Sequence, residues 1–153
     1  MEQVTQADVK HVKTYLRKAR ELDTLVHTKL SEIDRLRELA ECLSSPKLGE
    51  RVTSSNGNTS MQTVDKIVDL QAEIKNEIAE LVNLFVEIHA KIELLEDTTE
   101  KIVLTEFYIN GKKWDEIAEI VGYTVRQTQN IHGKALKHFT LFHLISLNFT
   151  NSI

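Results

Sequence analysis

VDKIVDLQAEIKNEIAELVNLFVEIHAKIELL, residues 64 to 95, places Val64, Ile67, Gln71, Ile74, Ile78, Leu81, Phe85, Ile88, Ile92 and Leu95 at alternating spacings of three and four. Nine of the ten are apolar. A strict average of 3.5 residues keeps one seam of an α-helix turned toward a partner helix by left-handed supercoiling. Upstream, Val12, Leu16, Ala19, Leu22, Val26, Leu30, Ile33, Leu36, Ala40 and Leu43 form a second stripe of threes and fours. Thr5 and Asp8 make an approximate capping box before it, and Ser44-Ser45-Pro46 is a stop signal after it. At 1.5 Å per residue this first helix would be about 58 Å long. Two such helices in one chain predict a long antiparallel coiled-coil hairpin over residues 1–97, with helices at about 5–43 and 60–96. A two-helix hairpin encloses little core, so it should associate with another copy, as a homo-oligomer, or with the remainder of the chain.

Composition agrees with an all-α chain. Five glycines and one proline in 153 residues are too few for a turn-dense β-sandwich or barrel. The single cysteine, Cys42, allows neither an internal disulfide nor a cysteine metal cluster, which makes the cytoplasm the expected compartment. No secretory leader pattern opens the chain and no apolar run approaches the roughly 20 residues of a membrane span. The formal charge of -4 is unevenly spread: residues 1–97 hold 13 basic and 18 acidic side chains, and residues 98–153 hold 6 and 5.

Residues 44–60, SSPKLGERVTSSNGNTS, read as a loop longer than the usual 2 to 8 residues between helices. Such a loop is either mobile or used, and Lys47 and Arg51 could touch phosphate or a protein there. After Asp97 the pattern shortens. Thr98 or Thr99 is expected to cap a helix ending near Ile109 at the Asn110-Gly111 terminator. A second helix, Trp114 to Val121, would bury Trp114, Ile117, Ala118 and Val121. Gly122 ends it and Thr124 can cap a third, reaching about Phe139. Helix, tight glycine turn and helix over residues 98–140 is the helix-turn-helix arrangement.

In that third helix Arg126, Gln127, Gln129, Asn130, Lys134 and Lys137 leave the apolar stripe of Ile131, Ala135 and Leu136, and no acidic residue lies between Thr124 and the C-terminus. Arginine can pair bidentately with guanine, and glutamine or asparagine with adenine, so Arg126, Gln127, Gln129 and Asn130 are base-contact candidates on double-stranded DNA. Thr124, Lys134, Lys137, Lys112 and Lys113 are candidates for its phosphates. The same pattern also fits a solvated face on a small three-helix bundle.

KKWDEIAEIVGYTVRQTQNIHGKALKHF, residues 112–139, resembles the fourth conserved region of bacterial sigma factors. The matching frame is Trp114, then DEIAEIVG, Thr124 as cap, Asn130-Ile131, and Lys134-Ala135-Leu136-Lys137. Where that family usually has Arg-Glu and then Arg-Gln, this chain has Val125-Arg126 and Gln129-Asn130, so the resemblance implies the fold more than the base specificity. With the long helix YLRKARELDTLVHTKLSEIDRLREL, the loop ERVTSS and the helix KIVDLQAEIKNEIAELV, residues 14–139 resemble sigma-like phage regulators of the ArpU and RinA kind. That resemblance implies an activator of late phage genes acting with host RNA polymerase in the bacterial cytoplasm.

No glycine-rich phosphate loop, paired Cys/His spacing or nucleophile beside a base is present, so neither an enzyme nor a cofactor- or metal-binding protein is expected. The six histidines are scattered. The rival to a DNA reader is a protein-interaction module whose acidic hairpin binds polymerase or another regulator. The tail, residues 141–153, is uncharged and rich in apolar residues. It should pack against the hairpin or a second subunit, or bind a partner.

Overall fold

The computed structural model describes residues 3–44 and 56–150. All its elements are helical: α1 (Gln6–Ser44), α2 (Asn56–Ile92), α3 (Thr98–Leu104) continued by a π-helical turn (Thr105–Ile109), α4 (Trp114–Val121) and α5 (Val125–Thr150). There is no strand among the described residues. No helix there is long and apolar enough to cross a membrane. Lys47 and Arg51 lie outside the described residues.

The start of α1 is fixed as its sequence suggests. The Thr5 N–H donates to Asp8 Oδ2 at 2.9 Å, and the Asp8 N–H donates to Thr5 Oγ1 at 3.2 Å. α2 begins and ends about four residues earlier than the apolar pattern implies. At its end the hydrogen bonds tighten: Glu93 N–H reaches the His89 carbonyl at 3.0 Å, but Leu95 N–H takes the nearer Ile92 carbonyl, also at 3.0 Å. Leu95 stays buried beyond the helix, so the apolar stripe continues past the helix end. At α3 the cap is Asp97, not Thr98 or Thr99. Its Oδ1 accepts the Glu100 N–H at 3.0 Å, a carboxylate being the stronger partner for the positive end of a helix.

The chain forms two compact units, Leu22–Glu80 and the remainder, so the first turns of α1 and the last of α2 group with α3, α4 and α5. Among the described residues of Leu22–Glu80 the buried apolar ones are Val26, Ile33 and Ile74. Lys29 joins the two helices there, its Nζ 2.6 Å from Glu77 Oε1 and 3.2 Å from Glu73 Oε2. Leu30, Val64 and Ile78, expected in the seam, are exposed, together with Leu25, Leu39, Met61 and Val68. Two helices cover only a narrow strip of each other, so the seam's edges remain in water.

The other unit has the larger core. Val12, Leu16 and Ala19 of α1 meet Ile88 and Ile92 of α2, Leu95, Leu104, Tyr108, and Ala135, Leu136 and Phe139 of α5. α5 does not stop near Phe139 but runs on to Thr150, because neither glycine nor proline interrupts residues 134–150. The apolar tail is therefore helical through Thr150. Phe142 packs on the same core, while Leu141, Ile145 and Leu147 face solvent.

Leu16 is fully buried and Leu25 is 43% exposed. Leu16→Ala should therefore cost about 2 to 5 kcal/mol in urea unfolding, whereas Leu25→Ala should stay within about 0.5 kcal/mol. Equal losses at both positions would contradict this assignment of the core.

Candidate nucleic-acid interface

The turn between α4 and α5 is built from three residues. Gly122 has φ of 74°, a left-handed conformation that side chains resist, and its N–H donates to the Ala118 carbonyl at 2.9 Å. Tyr123 N–H shares that carbonyl at 3.1 Å. Thr124 then opens α5 with a reciprocal cap: Gln127 N–H donates to Thr124 Oγ1 at 3.2 Å, and Thr124 N–H donates to Gln127 Oε1 at 3.0 Å.

Thr128, His132, Ala135, Leu136, Phe139, Thr140 and His143 form the buried face of α5. Arg126, Gln129, Asn130, Lys134 and Lys137 are all exposed, away from that face at helical spacing. The other candidates stand differently. Gln127 is exposed, but its carbonyl oxygen also accepts the Thr124 hydroxyl at 3.1 Å, leaving only its amide N–H groups to offer a ligand. Thr124 is engaged by the same cap. Lys112 is paired with Glu106, Nζ to Oε2 at 2.8 Å, and this ammonium holds the Glu106 carboxyl below the usual carboxylate range. Lys113 is exposed, and its N–H donates to Glu116 Oε2 at 2.8 Å, fastening the start of α4.

Beneath the polar face lies a cluster that sequence spacing did not reveal. Phe107 stacks on Trp114, with ring centroids 4.4 Å apart and planes at 21°. His132 lies against Phe107, Tyr108 and Trp114 at 5.4, 5.6 and 5.0 Å. Its Nε2 is hydrogen-bonded to the Tyr108 hydroxyl at 2.9 Å. The π turn brings two consecutive aromatic residues to one histidine. Its wider turn, closed by Asn110 N–H on the Thr105 carbonyl at 3.0 Å, holds more residues than an α-helical one and so narrows the angle between neighbouring side chains. From α1, Arg20 caps the cluster, its guanidinium carbon 4.2 Å from the Phe107 ring centre and its Nη2 donating to the Gly111 carbonyl at 3.4 Å.

Burial pushes His132 down to about 4, with Lys13 and Arg17 adding to the effect, and burial pushes Tyr108 up to about 12. Both groups are therefore neutral at pH 7. A second polar cluster anchors the far part of α5: Lys91 Nζ donates to His143 Nδ1 at 3.0 Å and to Glu87 Oε1 at 2.9 Å, with Lys91 over the Tyr15 ring. Burial, and then the Lys91 charge, lower His143 as well. On α3, Glu100 Oε2 meets His138 Nδ1 at 2.7 Å. The histidines, scattered in sequence, thus include three that fasten α5 to its neighbours.

Comparisons with protein-family models, with curated proteins and with solved structures found no match.

His132 gives a signed pH dependence. An unfolded histidine titrates near about 6.5 and the folded one near about 4, so between these values the unfolded chain binds more protons and stability falls as pH falls. The loss should approach about 3 kcal/mol below pH 4 and be absent above pH 7. His143 acts in the same direction. His132→Phe, lacking the titrating ring, should lose measurably less stability than wild type between pH 6.5 and 4 in urea unfolding; identical profiles would refute the assignment.

Proposed function

We propose that the chain is a sequence-specific DNA-binding transcription regulator, in which α4, the Gly122 turn and α5 form a helix-turn-helix. The observation that carries this reading is the shared exposed face of Arg126, Gln129, Asn130, Lys134 and Lys137, on a helix held rigidly by its cap and its buried side. A capped helix with arginine and two amide side chains in its first turns has the donors and acceptors to read base edges, and its later lysines suit phosphates. Gln127 is the weakest base-contact candidate, since its oxygen is committed to the cap. Lys112 is the weakest phosphate contact, since Glu106 holds it.

In the same reading α1 and α2 form an antiparallel coiled-coil hairpin that associates with a second copy. The exposed Leu25, Leu30, Leu39, Val64, Val68 and Ile78 support association, because a stable helical pair seldom leaves so much apolar surface in water. A dimer would present two recognition helices to half-sites about one DNA turn apart. The resemblance to sigma-like phage regulators extends the proposal to an activator of late genes working with host RNA polymerase.

A second reading is favoured by one observation: Leu22–Glu80 combines exposed apolar residues with an excess of acidic side chains. That surface suits a protein partner, and the module would then bind polymerase or another regulator without reading DNA.

Selection from a library of random duplexes at about 150 mM salt separates the two. The DNA reader enriches one motif. Gln129→Ala and Asn130→Ala should each cost about 1 to 3 kcal/mol on that motif while leaving random DNA unaffected. Absence of any enriched motif would overturn the proposal in favour of the protein-binding module.

A further inference from the structure

The charge of α1 is segregated along its length. From Val9 to Arg20 there are five basic side chains and no acidic one, and Lys10, Lys13, Arg17 and Arg20 recur at spacings of three, four and three. They form a stripe along one side of the helix, each one residue beyond Val9, Val12, Leu16 or Ala19, the apolar positions that face the core. Asp8, the nearest acid before the stripe, is taken up by the Thr5 cap.

In sequence this stripe belongs to the acidic half of the chain. In the fold it belongs with α5. Val12, Leu16 and Ala19 share a core with Ala135, Leu136 and Phe139. Arg20 reaches the turn before α4 at Gly111, adjoining Lys112 and Lys113. The charges of Lys13 and Arg17 are felt at His132, which sits between Gln129 and Lys134 in sequence on α5. Neither Lys13 nor Arg17 has a carboxylate partner among the described residues. The same holds for Lys134 and Lys137. Four uncompensated cations therefore sit on two helices that share one core and one compact unit, Lys13 and Arg17 on α1 and Lys134 and Lys137 on α5.

We infer that Lys13 and Arg17 of α1 are phosphate contacts for the backbone of double-stranded DNA, extending the interface of α5 onto the first turns of the hairpin. This rests on the proposed DNA-binding reading and deepens it. The occupant follows from charge: Lys13 and Arg17, without a carboxylate partner, lie in a stripe of basic side chains about 6 Å apart along the helix with no interleaved acid, which matches a polyanion with regularly spaced charges. It also explains how a chain of net charge -4 would hold DNA, since the acidic excess lies in Leu22–Glu80. Guanidinium and ammonium groups on phosphate carry no sequence information, so the contribution is to affinity and orientation.

The test is the salt dependence of binding to a random-sequence 30-base-pair duplex, followed by fluorescence anisotropy on the full chain. Each phosphate contact contributes about 0.9 to the slope of log K against log salt, so Lys13→Gln/Arg17→Gln should flatten it by about 1.8. The charge-preserving swap Lys13→Arg/Arg17→Lys should keep the wild-type slope, and helicity by circular dichroism should be unchanged in both. Wild-type binding with an unaltered slope in the Gln variant would overturn the α1 contact and leave the α5 interface standing. A flattened slope in the charge-preserving swap as well would assign the effect to structure, against the proposal. No binding of any duplex by the wild-type chain would overturn both the contact and the reading it rests on.

Discussion

The architecture depends on how one side of α5 is buried. Ala135, Leu136 and Phe139 enter a core supplied by Val12, Leu16 and Ala19 from α1 and by Ile88 and Ile92 from α2. That contact settles the rotation of α5 about its own axis. A helix turned by one residue moves every side chain by about 100°, so the same sequence would then bury Gln129 or Lys137 and expose Phe139. The polar face of Arg126, Gln129, Asn130, Lys134 and Lys137 is the complement of the apolar one.

Polar groups refine what the apolar contact begins. His132, His138 and His143 each meet one defined partner on another helix: the Tyr108 hydroxyl, Glu100 and Lys91. A buried polar atom without such a partner is costly, so these bonds penalise alternative registers of α5 more than they add to the native one. The low proton affinity of His132 follows from the same arrangement, since its ring is enclosed by Phe107, Tyr108 and Trp114 with two cations nearby. Rigidity at this point is what the proposed reading of base edges would require, since side chains in that role must be held by a fixed support.

Much of this was legible in the residues. The long helices show in unbroken spacings of three and four, and the α4–Gly122–Thr124 boundary shows because a left-handed glycine and a hydroxyl cap have local causes. The exposed face of α5 was legible for the same reason: helical periodicity alone separates it from Ala135 and Leu136. Four features were not. Asp97 displaces the threonines as cap because a carboxylate competes better for the same N–H. The ring cluster around His132 joins residues far apart in sequence, and the π turn that supplies Phe107 and Tyr108 to it carries no spacing signal. The grouping of basic α1 residues with α5 is hidden in the sequence because they lie in its acidic half, whereas the fold brings Val12 and Leu16 to Phe139. The expected end of α5 near Phe139 marked the end of charge, not of helix.

The central claim is that the polar face of α5 meets duplex DNA. It is tested most directly by adding a selected duplex to isotopically labelled protein at about 150 mM salt and following backbone amide signals residue by residue. The account predicts saturable shifts concentrated in residues 124–137, with the amides of Leu22–Glu80 little changed. Shifts confined to Leu22–Glu80, or none at all with a duplex of any sequence, would contradict it.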